Sequence, residues 1–132
     1  MSAYVSFRSK GQGVSMWGNR RDHWTKLVDL QVKAENVTGI PLAASLIKEV
    51  GSNSSELFQA HQNGDLFDEV VIEITGRAEP GGGEVVVERI TLTGALISTV
   101  RRYAAVESTG GSNKLLENYG LVFQRYTRLP VP

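Results

Sequence analysis

The chain has 132 residues, enough for a single domain that buries most of its unfolded surface in one core. Its 14 Lys and Arg balance 14 Asp and Glu, so no net charge draws it to nucleic acid, and without cysteine it has neither disulfides nor thiolate metal sites. No apolar stretch approaches a signal-peptide core or a membrane span, so the expectation is a chain that starts in the cytoplasm and leaves, if exported, without a cleaved signal.

Residues 3–7, "AYVSF", read as a short strand followed by a loop rich in Gly and Ser. From Thr25 to Glu35 the residues Val28, Leu30, Val32 and Ala34 alternate with Asp29, Gln31, Lys33 and Glu35. That period of two predicts one half-buried strand. "NVTGIP" then turns the chain at Gly39 and Pro41, and "LAASLIKEV" (42–50) fits strand or helix and is assigned as strand.

Helix punctuation follows at "SNSSELFQAHQNGD". Asn53 or Ser54 is placed to cap exposed N–H groups, with Glu56 completing a capping box after Asn53. Leu57, Phe58 and His61 fall at helical spacing, and Gly64 suits a left-handed cap. A helix of about ten residues is marginal alone, so Leu57 and Phe58 must dock it on an apolar surface.

Beyond it, "DEVVIEITGRA" from Asp68, a hairpin loop "EPGGGE" and "VVVERITLTGALISTVRRY" are strongly β. Ile90, Leu92, Gly94, Leu96 and Val100 are expected on one face, with a bend or bulge at Gly94. Val85, Val86 and Val87 in succession cannot all point inward, so some must meet a neighbouring chain. After the loop "ESTGGSNK", "LLENYGLVFQRYTRL" is a last long strand with Tyr119, Leu121 and Phe123 on one face. Six or seven strands and one helix predict a small antiparallel β-barrel of two packed sheets, with the helix on its flank.

The residues that carry chemistry elsewhere are not arranged for it. His23 and His61 have no second ligand at metal spacing. The glycine-rich loops join strand to strand and lack the phosphate-loop order. Asp68, Glu69, Glu73 and Glu88 read as solvated strand residues with cross-strand partners such as Arg89. Ser15, Ser45 and Ser98 lie in no nucleophile motif. Arg101-Arg102-Tyr103 and Arg125-Tyr126 would suit a stacking platform for bases, but the zero net charge argues for a polar rim. No catalysis and no cofactor are expected.

Ser54 to Gly64, Asp68 to Thr75, Ile90 to Val100, Ser108 to Ser112 and Glu117 to Phe123 occur in one order: helix, strand, hairpin, "ITLTGALISTV" strand, Gly/Ser loop and closing strand. With Gly13-Val14-Ser15 and His23-Trp24 before the first long strand, the chain resembles the haemolysin-coregulated protein (Hcp) family of type VI secretion. That resemblance implies a flank-helix barrel that closes into rings of six, which stack as a hollow tube inside a contractile sheath. The tube would carry effectors and a spike or tip protein, with no nucleic acid and no membrane insertion. A tail-tube protein of a phage-derived contractile particle and a small-ligand β-barrel are the alternative readings. Where the family has a long glycine-rich excursion, this chain has only "NVTGIP", so ring stacking is expected to lean on Arg101, Arg102, Glu107 and the loop "STGGSN". Gly120 and Arg125 also depart from the family's closing strand.

Overall fold

The computed structural model describes residues 2–8, 24–33, 42–51, 53–77, 83–106 and 113–131. These form strands β1 Ser2–Arg8, β2 Thr25–Leu27, β3 Asp29–Lys33 and β4 Leu42–Glu49, helix α1 Ser54–Asn63, and strands β5 Leu66–Arg77, β6 Glu84–Val106, β7 Asn113–Phe123 and β8 Arg125–Pro130. All pairings are antiparallel in one sheet of order β2-β1-β5-β6-β7-β4-β3, with β8 also on β6. The mainly β architecture with one short helix follows the expectation, and the ambiguous segment 42–50 is strand. The ladder itself stays open. Its two end strands, β2 and β3, are joined through Val28 in the chain rather than by a ladder.

Two expected strands are broken. The run from Thr25 bends at Val28, which is 57% exposed, while Leu27 is buried. The break lets one stretch serve both ends of the sheet, since β2 pairs with β1 and β3 pairs with β4. Ala34 and Glu35 lie outside the described residues. The closing strand bends likewise at Gln124: β7 runs between β4 and β6, and β8 continues along β6 alone.

Strand β6 is the spine. One side pairs with β5 over Glu84–Leu96; the other takes β8 at residues 88–93 and β7 at 96–106. The change of partner falls at Gly94, whose φ of 64° lies in the left-handed region. There the alternation loses step. Leu92 and Ala95 are both buried although three residues apart, as are their partners Val70 and Phe67. Leu96, expected inward, is therefore turned to the outer face, and Ala95 and Ile97 take the core. A register slip between Ile97 and Thr99 against β7 then returns Val100 to the core opposite Tyr119. A bend at Gly94 and the bulge beyond it re-aim the same strand, which is how such a long strand wraps a small core.

A Cβ on Gly94 would lie 2.8 Å from Gln124 Oε1, the end of a flexible side chain that can move. The φ cannot be relieved so easily. Gly94→Ala should cost about 1–2 kcal/mol, read as a lower urea midpoint with an unchanged slope. An unaltered midpoint would show that the joint relaxes freely. Gly120 has a packing reason of its own, because a Cβ there would overlap Thr99 Oγ1 on the bulge.

The helix answers a gap left by β5. Beyond Leu96, β6 has no strand on its β5 side among the described residues, and α1 packs there. His61 Nε2 sits 3.2 Å from Ser98 O on that stretch. Covering a strand edge with a helix is a standard protection against unwanted pairing. Leu57 and Ala60 enter the core, with Phe58 packed half-buried against it. Gly64 caps the C-terminus at φ 67°, its N–H bonded to His61 O. The expected capping box is not formed. Asn53 is the N-cap but its side chain donates to Thr25 Oγ1, which ties the helix start to β2 instead.

A buried charge clamp and the surfaces it holds

On the inner side of the sheet, strands β4, β6 and β7 place Lys48, Arg102 and Glu117 in one row, since Lys48 and Arg102 are the cross-strand neighbours of Glu117. The Glu117 side chain is fully buried. Its Oε1 accepts from Lys48 Nζ at 2.8 Å, Ser54 Oγ at 2.7 Å and Tyr119 Oη at 2.8 Å. Its Oε2 accepts from Arg102 Nη2 at 2.8 Å and Nε at 3.2 Å. Lys48 Nζ also donates to Glu49 O at 2.8 Å. Every strong acceptor is satisfied, as buried charge requires.

The electrostatics follow from those bonds. Burial alone pushes the Glu117 carboxyl up, but hydrogen bonds from Lys48, Arg102, Ser54 and Tyr119 outweigh it and hold the group at about 2. Burial and the adjacent Glu117 carboxylate push the Tyr119 phenol up. Arg102 also lies 4.8 Å over the Phe58 ring, and Lys48 5.8 Å from the Tyr119 ring. Through Ser54 and Phe58 the clamp seizes the first turns of α1. Its groups are bonded to one another, which makes it a fastening for the helix.

The sequence-selected surface residues are spread over the molecule. Val85 and Val87 are exposed at the start of β6, and Val86 is half-buried. Arg101 points to the outer face from the middle of the sheet, while Arg102, its neighbour, is bound into the clamp. Glu107 and the turn "NVTGIP" lie outside the described residues, as do His23 and Ser15. The carboxylates read as solvated strand partners pair across strands, Glu73 with Arg89 at 2.7 Å and Glu88 with Arg128, but Glu73 is buried rather than solvated. Sequence reasoning missed the clamp. Its signal was a Lys and a Glu at core positions of strands β4 and β7, where apolar residues belong.

The interior is filled by Phe7, Leu46, Phe67, Ile72, Leu92 and Tyr119. An open groove of about 660 Å³ lies in the seam around Val28, floored by Ala3, Leu27, Leu30 and Ile74. Among the described residues no group of His, Cys, Asp and Glu is placed to hold a metal ion, and no helix is long and apolar enough to cross a membrane.

The profile of the family described as "Type VI secretion system effector, Hcp" matches residues 32–128. No curated protein matches the sequence. Among solved structures, the secreted protein Hcp3 from Pseudomonas aeruginosa is similar with a TM-score of 0.76 and 15% identity, over 98% of this chain and 90% of that one. Hcp1 from Salmonella typhimurium gives 0.71 and 12%, over 99% and 86%. A chain of the sheath-tube complex of an extracellular contractile injection system, PVC, gives 0.61 and 12%, over 98% and 88%. At such identities the likeness establishes the fold, and the profile, spanning most of the sequence, establishes the family: this chain belongs to the Hcp family of type VI secretion.

Proposed function

We propose that this chain is a structural subunit of the inner tube of a type VI, contractile, secretion system. It closes into rings of six that stack into a hollow tube carrying effectors. The observation that carries the reading is the family profile over residues 32–128 together with a fold matched along nearly the whole chain. The sheath-tube assembly among the similar structures supports partners of the same kind: further copies of the chain, a sheath, a spike or tip protein, and cargo. It also keeps a second reading, the tail tube of a phage-like particle, beside the first. The chain assembles in the cytoplasm and is secreted without a signal peptide. It is not an enzyme, in keeping with a charge cluster whose groups are spent on fastening the helix.

Exposed Val85 and Val87 supply apolar area for a neighbouring copy, and Arg101 supplies polar contact. Light scattering should give a mass near six copies across micromolar concentrations, and a monomer throughout would overturn the reading. With only "NVTGIP" where the family has a long glycine-rich excursion, stacking is expected to rest on polar rim contacts. Sedimentation should show isolated rings in dilute protein and less stacking as salt rises. Long tubes in dilute protein that ignore salt would remove that expectation.

A further inference from the structure

The bend at Val28 leaves an apolar side chain outside the core. Val28 is 57% exposed, although its N–H donates to Ile47 O at 2.6 Å and its chain neighbour Leu27 is buried. It stands at the groove in the seam, whose floor of Ala3, Leu27, Leu30 and Ile74 is apolar as well. An open apolar floor beside an exposed valine favours a cover that takes both from water.

Charge marks what the cover carries. The ionic groups lining the groove among the described residues are Lys26, Asp29, Glu49 and Lys114. Lys114 and Glu49 face each other at 3.5 Å. Lys26 and Asp29 are exposed and flank Leu27 and Val28 in the chain, and neither has an ion-pair partner among the described residues. Asp29 Oδ1 accepts from the N–H of Leu30 at 2.8 Å, which leaves its charge unanswered.

A short apolar stretch with a cation at one end and an anion at the other is complementary to itself when two copies lie antiparallel. Lys26 then falls beside the partner's Asp29, and Asp29 beside the partner's Lys26, while each Val28 enters the partner's groove above its Leu27. We propose that this seam is a twofold contact between two copies of the chain, each covering the other's groove. No second surface is needed, whereas a head-to-tail contact requires one. A twofold contact is closed on itself and does not propagate. It therefore pairs copies off the growing tube, a resting form that competes with stacking. The contact stands apart from the ring reading, since lone chains would pair as dimers and rings as double rings. With a few residues a side it falls short of the roughly 20–30 of a stable interface, so the pair is transient.

A transient pair is trapped more readily than weighed. The chain has no cysteine, so one introduced thiol reports the contact. Val28→Cys, near the axis, meets its own copy. Under mild oxidation it should form a disulfide-linked pair about tenfold faster than Leu66→Cys, an equally exposed site outside the seam. Adding Lys26→Asp or Asp29→Lys to Val28→Cys sets like charges together on both sides of the axis and should slow the linkage about tenfold at low salt. Adding both exchanges the charges and should restore it. Every substituted position is exposed, and circular dichroism with urea midpoints checks that the variants fold. Equal rates in Val28→Cys and Leu66→Cys, or no recovery in the folded variant with both exchanges, would overturn the twofold contact and leave the ring reading standing. A native chain that forms no rings would fail that reading and leave this test intact.

Discussion

Glu117→Gln should lower the unfolding free energy by about 3–5 kcal/mol, the range for breaking a buried ion pair from one side. The substitution keeps shape and volume, so little of the loss is packing. What changes is that Lys48, 3% exposed, keeps its charge without a carboxylate, and the new amide turns N–H donors toward donors. Arg102 suffers less, since its side chain is 41% exposed and can turn to water. Replacing Lys48 by Met and Glu117 by Leu together should be milder than Glu117→Gln alone, because no buried charge is left over. Equilibrium denaturation measures both. A Glu117→Gln midpoint equal to the native one would mean that water reaches the cluster.

The same carboxylate fixes an acid limb. Its folded value of about 2 lies below the ordinary 4.5, so the folded state binds this proton less readily than the unfolded chain. Its contribution to stability is then complete above about pH 4.5 and is lost as pH falls toward 2. The separation amounts to about 3 kcal/mol, the same interaction seen by titration rather than by substitution. In Glu117→Gln that part of the acid limb should flatten, a difference read by repeating the urea midpoints from pH 5 down to pH 2.5.

How much of this was legible in the sequence depends on the range of the signal. The helix from Ser54 with its cap at Gly64 was legible because caps and periodicity are local. Strands β1, β5, β6 and β7 were legible from alternation, β4 fitted strand or helix equally, and the family order of elements gave the function. Bends at Val28 and Gln124 were not, since neither residue is a breaker: each break exists because the two halves pair with different strands. Leu96 was misplaced for a similar reason: a bend or bulge was expected at Gly94, but how the bend there shifts the inward–outward alternation is fixed only by its neighbours. The clamp joins Lys48 to Glu117 across 69 positions. Pairings of that range leave no local pattern. Arg102 shows the consequence, because its sequence neighbours suggested a rim while its cross-strand neighbour draws it inward.

The helix should fail first at Leu57. Leu57→Ala is expected to cost about 3–4 kcal/mol, within the range for emptying a fully buried leucine site. Phe58 was expected to dock the helix together with Leu57, but it is only half-buried, set between the Arg102 guanidinium and the Tyr119 ring at 6.3 Å. Phe58→Ala removes that stacking and partial burial and should cost about 1–2 kcal/mol, because water can enter where no closed cavity forms. The order matters more than either figure. If Leu57 is the anchor, its loss also frees Ser54 from Glu117 and exposes the β6 edge beyond Leu96 that α1 covers. Leu57→Ala should therefore aggregate on mild heating, at temperatures where Phe58→Ala stays dispersed, since an uncovered strand edge is a template for pairing. Urea midpoints and light scattering during a thermal ramp read the two effects separately. A larger loss in Phe58→Ala would place the ring, not the leucine, at the centre of the helix contact.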